Sequence, residues 1–311
     1  MQSPPTDAEL EEFEHFVAAY PEPEVLFERV RDSFGEYVPT RTCGPEILRR
    51  VEECVAQGRE ASFFRLGDGE GNLLGLGLDD YPALAAYCAR EVSVMHFGAP
   101  DVLRAAGPDL RHDFHIALRH AELIGLPGRF SLRFLLAMRN QRLDVRAIYG
   151  VGAVFRYLQQ FGADLALSKK AGSSSAFHQS LLPHYRALIE SRDIGLVSCH
   201  RELVQGLQRR MGARSVDFYP VPKQAKIIDG ELTDTEHYPE RYGALLEELL
   251  SARPGILYFV AAGMLGKVYC EAIRAAGGIA VDIGATADIW AGVRSRYWGQ
   301  SKETFDTWRV L

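Results

Sequence analysis

The stretch GILYFVAAGMLGKVYCEAIRAAGGIAVDIG, residues 255–284, decides the fold. An apolar run of strand length ends at Ala262-Gly263, a helical pattern begins near Leu265, and a second apolar run, GIAVDIG, follows it. Strand, helix and strand in that order form the crossover that brings two strands side by side in parallel. The alternation extends upstream. DIGLVSC (193–199) and RSVDFYP (214–220) read as strands, while HRELVQGLQRRMG (200–212) and PERYGALLEELLSA (239–252) carry helical spacing. The pattern predicts an α/β fold: a Rossmann-like, mostly parallel sheet with helices on both faces. Between residues 80 and 190 the chain reads as mostly helical, with AELIGLP (121–127) and DVRAIYG (144–150) as further strands. Residues 7–58 read as three helices, AELEEFEHFVAAY, PEVLFERVRDSF and GPEILRRVEECVAQG. We therefore expect a helical N-terminal extension over 1–60 and one α/β domain over 61–311.

Composition narrows the function. The 311 residues are 47% hydrophobic and 24% charged, with 35 Lys+Arg against 41 Asp+Glu for a formal net charge of -6. Such a balance gives no electrostatic reason to coat nucleic acid or an anionic membrane, so an anionic ligand must be gripped locally. The five cysteines include no CxxC pair, which argues against a zinc module or a disulfide framework. No apolar run approaches the ~20 residues of a membrane span. The acidic start MQSPPTDAELEEFEHF lacks the regions of a signal peptide, and a cytoplasmic location is expected.

A second stretch carries the chemistry. SFFRLGDGEGNLLGLG, residues 62–77, runs a short strand into a turn holding Asp68 and Glu70 with one glycine between them. Carboxylates so close repel unless something positive stands between or beside them. Gly67 and Gly69 are expected to give the backbone freedom for a close approach, and the two acids to share a divalent cation bridging a diphosphate. The competing reading is an acidic turn that caps the next helix.

The segment RLGDGE, Arg65 to Glu70, resembles the R-x-G-D-G-E signature of the GT-D fold glycosyltransferases. LIGLP, DIGLVSCHRELVQGL with VDFYPVPKQAK, and ILYFVAAGMLGKVYCEAIRAAGGIAVDIG follow in the order expected of that family, over roughly residues 61–290. The resemblance implies a metal-dependent transferase that takes a nucleoside diphosphate sugar, a UDP-sugar first, and passes the sugar to a glycan or glycoprotein acceptor. It makes Asp68 and Glu70 the catalytic metal and diphosphate residues, with Mn2+ or Mg2+ as cofactor, and Arg65 a supporting cation. One departure stands out: DIGATAD has Ala285 and Thr286 ahead of Asp288, which leaves the acceptor side and any base unassigned. A homo-oligomer is compatible with the sequence. Two other classes stay open, a non-catalytic nucleotide- or glycan-binding module and a nucleotide-dependent hydrolase or phosphotransferase.

Further donor contacts are expected at strand ends. Gly263 offers backbone N–H groups to phosphate at a helix start, with Lys267 in the first turn. Ser198, His200 and Arg201 follow one strand, Lys223 and Lys226 another, and Asp282 closes the last. SKKAGSSSAFHQ (168–179), with His178, has the composition of a closing loop. Three imitations are set aside. Gly150-x-Gly152 has Phe155 where a dinucleotide fingerprint needs its third glycine. His112, His115 and His120 read as solvated rather than zinc-binding. Cys199 and His200 are expected to point apart, which disfavours a catalytic triad.

Overall fold

The computed structural model describes residues 4–19, 44–78, 80–127, 144–166, 170–223, 236–295 and 306–311. The helix expected at 23–34 and the residue Lys226 lie outside them, as do residues 168 and 169 of the expected closing loop and the side chain of His178.

The elements, in chain order, are α1 (Asp7–Ala18), α2 (Gly44–Gln57), β1 (Ala61–Arg65), α3 (Asp68–Gly75), α4 (Pro82–Phe97), α5 (Val102–His120) and β2 (Leu123–Leu126). There follow α6 (Asp144–Phe161), β3 (Ala171–Ser173), β4 (Asp193–Ser198), α7 (Leu203–Met211) and β5 (Ser215–Pro220). The last are α8 (Tyr242–Leu249), β6 (Leu257–Val260), α9 (Gly266–Ala275), β7 (Ile279–Asp282) and α10 (Thr286–Trp290). Among the described residues seven strands form one sheet in the order β3-β2-β1-β7-β6-β4-β5. Strands β1–β7, β2–β3, β4–β5, β4–β6 and β6–β7 pair in parallel. The chain divides into two compact units, one of residues 1–40, 65–119 and 124–174, the other of residues 41–64, 120–123 and 175–311.

The second unit is the Rossmann-like part. Side chains alternate along each strand, so Phe63, Leu196, Phe259 and Val281 share one face and pack in a single core with Ile47, Val51 and Cys54 of α2 and Leu203 and Leu207 of α7. From β4 the chain crosses through α7 to β5 on one side, and from β6 it crosses through α9 to β7 on the other. Right-handed crossovers leaving in opposite directions put α7 and α9 on opposite faces of the sheet. Adjacent strands β4 and β6 therefore form a topological switch point.

The first unit is mostly helical and also carries β2 and β3. Its α3 and α6 meet backbone to backbone: a Cβ on Gly71 would fall 1.7 Å from the Gly150 carbonyl oxygen, and one on Gly150 would fall 2.2 Å from the Asp68 carbonyl oxygen. A Cβ on Gly75 would lie 2.6 Å from the Tyr149 hydroxyl. The buried Phe16 of α1 closes this core, its ring centroid 5.4 Å from Tyr81 and 5.3 Å from Tyr149.

Two expectations are corrected here. DVRAIYG is not a strand but the first turns of α6. Val145, Ile148 and Tyr149 are buried at helical spacing, and the glycines that suggested a strand-to-loop junction serve helix contact. Gly67 and Gly69 give no special backbone freedom either: Gly67 has φ -136°, an ordinary extended value, and neither glycine has positive φ.

We expect Gly71→Ala and Gly150→Ala each to destabilise the fold by more than about 2 kcal/mol, because the obstructing atoms are backbone and cannot swing away. Gly243→Ala on α8, where a Cβ meets nothing within 4 Å, should instead stabilise by about 0.5–1 kcal/mol through helix propensity. Urea midpoints of the three variants check this. Similar shifts in all three would remove the packing argument.

Candidate functional site

Strand β1 is buried as far as Phe64, and Leu66 donates its N–H to the Gly125 carbonyl at 2.8 Å as the chain leaves the sheet. The helix α3 then starts with the two acids in its first turn, where partial positive charge from unpaired N–H groups favours them. Each has its own partner. Glu70 turns back, and its Oε2 accepts the Gly67 N–H at 2.8 Å, so it caps the helix and is only 8% exposed. Asp68 Oδ2 accepts from Nη1 of Arg146 on α6, with side-chain exposures of 38% and 20%.

The positive groups that the sequence demanded are thus a backbone N–H and a guanidinium. Buried Asn72 clamps the arrangement, its Nδ2 donating to the Asp68 carbonyl at 2.6 Å and to the Arg146 carbonyl at 3.1 Å. Beside Gly69 stands His96, whose Nε2 would be 3.6 Å from a Cβ placed there. Arg65, at the end of β1, has its Nε buried without a hydrogen-bond partner among the described residues.

Among the described residues no three His, Cys, Asp or Glu side chains come together as a metal cage. Two adjacent carboxylates, one of them well exposed, fit a hard cation that draws its remaining ligands from a diphosphate and water. They do not fit a site made by protein groups alone.

The other expected residues gather within the second unit, at the carboxyl ends of β5, β4, β6 and β7. Open α/β sheets bind ligands at that edge, at a switch point such as the one between β4 and β6. Arg201 is exposed, its guanidinium carbon 5.1 Å from the centre of the Phe218 ring, and Lys223 is exposed just past β5. Gly263 has φ 58°, a left-handed conformation that favours glycine, at the turn from β6 into α9.

The remaining expected contacts are buried. Ser198 is fully buried, its Oγ accepting the His200 N–H at 3.1 Å. Asp282 is 1% exposed; its Oδ1 accepts the Gly284 N–H at 3.0 Å and its Oδ2 lies 2.9 Å from Lys267 Nζ. Lys267, in the first turn of α9, is 3% exposed and also donates to the Gly263 carbonyl at 3.2 Å.

His200 is not solvated. Its ring is 2% exposed, with Nε2 2.9 Å from Asp288 Oδ1 and Nδ1 3.0 Å from Glu202 Oε1. Burial acts to lower its pKa, but hydrogen bonds with Asp288 and Cys199 outweigh it and push the pKa up to about 10. A triad stays disfavoured, because both ring nitrogens are already paired with carboxylates, Glu202 and Asp288. Neither His115 nor His120 is simply solvated: His115 Nδ1 is 2.7 Å from the Tyr157 hydroxyl, and His120 Nδ1 is 2.8 Å from Glu271 Oε1.

Sequence reasoning missed Arg146, Asn72 and His96. Arg146 is 78 positions from Asp68 in the chain, and only the need to balance two carboxylates pointed to such a residue.

No family model matches the chain, and no curated protein matches it. Two solved structures are similar to it. One, described as a domain of unknown function 1792 with a distinct glycosyltransferase fold, shares 15% identity over 83% of this chain and 82% of that chain, with a TM-score of 0.46. The other, a selenomethionine-substituted structure of domain of unknown function 1792, shares 14% identity over 91% of this chain and 94% of that chain, with a TM-score of 0.48.

The His200 cluster has a pH signature. A base whose pKa rises on folding, here from 6.5 to about 10, adds stability that is complete below pH 6.5 and lost as pH climbs to about 10. We expect the unfolding free energy to fall across that window in the native protein and to fall less in His200→Gln. Urea titrations at several pH values measure both slopes, and equal slopes would mean that the imidazolium is not held as described.

Proposed function

We propose that this chain is a metal-dependent glycosyltransferase that takes a nucleoside diphosphate sugar, a UDP-sugar first, and transfers the sugar to a glycan or glycoconjugate acceptor. The observation that carries the reading is the RLGDGE stretch at the carboxyl end of β1, with Asp68 38% exposed and already paired with a cation.

Asp68 and Glu70 are the groups assigned to hold Mn2+ or Mg2+. Such a cation, bound with the donor, supplies Lewis-acid stabilisation of charge on the departing nucleoside diphosphate. The protein's share is orientation. Glu70 keeps the first turn of α3 closed through Gly67, and Asn72 fixes the backbone that presents Asp68. Within the second unit, Arg201, Lys223 and the backbone at Gly263 are proposed to meet an anionic donor. Ser198, His200 and Asp282, whose polar atoms are taken by protein partners, are assigned instead to holding those turns in place. No helix among the described residues is long and apolar enough to cross a membrane.

The test is turnover against folding. Asp68→Asn and Glu70→Gln keep shape while removing charge, and Gln still serves as a capping residue at Glu70's position. We expect each to lower transfer from a working donor by at least ~100-fold, about 2.7 kcal/mol of transition-state stabilisation, with melting curves close to native. Incubation with UDP-, GDP- and TDP-sugars plus manganese, followed by mass spectrometry, identifies the donor and separates transfer from hydrolysis. Near-native rates in both folded variants would reduce the pair to a helix cap.

A further inference from the structure

We infer that Arg146 is an internal counter-ion that withholds Asp68 from free divalent cations, so that the cation is taken up together with a diphosphate rather than alone. This rests on the metal reading of Asp68 and Glu70.

The pair differs from an ordinary surface ion pair, in which two flexible side chains meet at an entropic cost. Here both backbones are fixed. Asn72 donates to the carbonyls of both Asp68 and Arg146, and the helices that carry them touch at Gly71 and Gly150 too closely for a single Cβ. The guanidinium is thus held beside the carboxylate by helix packing. The side chains remain 20% and 38% exposed, so a solute can reach them and compete.

Charge then sets the order of events. Arg146 cancels one of the two negative charges that Asp68 and Glu70 offer a lone dication. Removing the guanidinium restores that charge. One extra unit charge about 6 Å from a dication in water changes its binding about tenfold. A diphosphate resolves the competition, because it gives the guanidinium oxygens to bind in a forked geometry while the cation takes Asp68. No covalent change is involved. The partners are exchanged: Asp68 passes from Arg146 to the cation, and Arg146 passes from Asp68 to phosphate oxygen.

The experiment titrates Mn2+ by electron paramagnetic resonance into the full chain and into Arg146→Gln, each with and without saturating UDP. In the native protein, UDP should tighten Mn2+ binding at least tenfold. Arg146→Gln should bind Mn2+ alone about tenfold more tightly than the native protein and gain less from UDP. Should that variant fail to fold, Arg146→Met keeps the aliphatic stem and answers the same question. Unchanged affinity for Mn2+ alone, with UDP still tightening it in both proteins, overturns the inference and leaves the metal reading standing. If neither protein binds Mn2+ more tightly with UDP, the metal reading falls and the inference falls with it.

Discussion

Two carboxylates separated by one residue, on the first turn of a helix, repel each other unless each faces positive charge from its own direction. That constraint organises the first unit. Glu70 satisfies it locally by bending back to the Gly67 N–H, which also closes the helix start. Asp68 satisfies it at long range through Arg146, and this requires α6 to lie against α3. The glycines at 71, 75 and 150 follow, since the close approach of the two helices leaves no room for side chains there. The stretch that reads as an acidic turn is the first turn of a tightly packed helix.

The second unit handles charge differently. Lys267 and Asp282 are 3% and 2% exposed as side chains and face each other at 2.9 Å, with the Gly263 carbonyl and the Gly284 N–H completing their partners. Burying two charges costs several kcal/mol per ion unless further hydrogen bonds complete each one. The network ties the turn after β6 to the turn after β7, and His200 ties the turn after β4 to α10 through Asp288. Buried charge in this unit fixes the shape of loops, while its exposed charge, at Arg201 and Lys223, stands where an anion can arrive.

Much of this was legible in the sequence. The alternation of short apolar runs with helical spacing located β4 to β7 and the helices between them; β4, β6 and β7 are almost continuously apolar because both faces are buried, while the edge strand β5 is only half-buried. The acidic pair was legible as a site needing positive charge. Its partner was not, because Arg146 sits in a segment whose β-branched and glycine residues imitate a strand, and nothing local ties it to Asp68. Burial was equally hidden. Lys267, His200 and Asp282 have the residue types of ligand contacts, and only the packing reveals that their charges are spent inside the fold. Periodicity reports which face is apolar, but it does not report which polar residues have been drawn beneath the surface.

The account turns on Asp68 being a carboxylate held in readiness for a cation. A crystal structure of the chain with UDP and Mn2+ tests this most directly. The expected result is metal density held by the Asp68 and Glu70 carboxylates, directly or through water, and by diphosphate oxygens, with the Arg146 guanidinium moved from Asp68 to phosphate. Bound nucleotide with Arg146 still on Asp68, and no metal beside either acid, would contradict it.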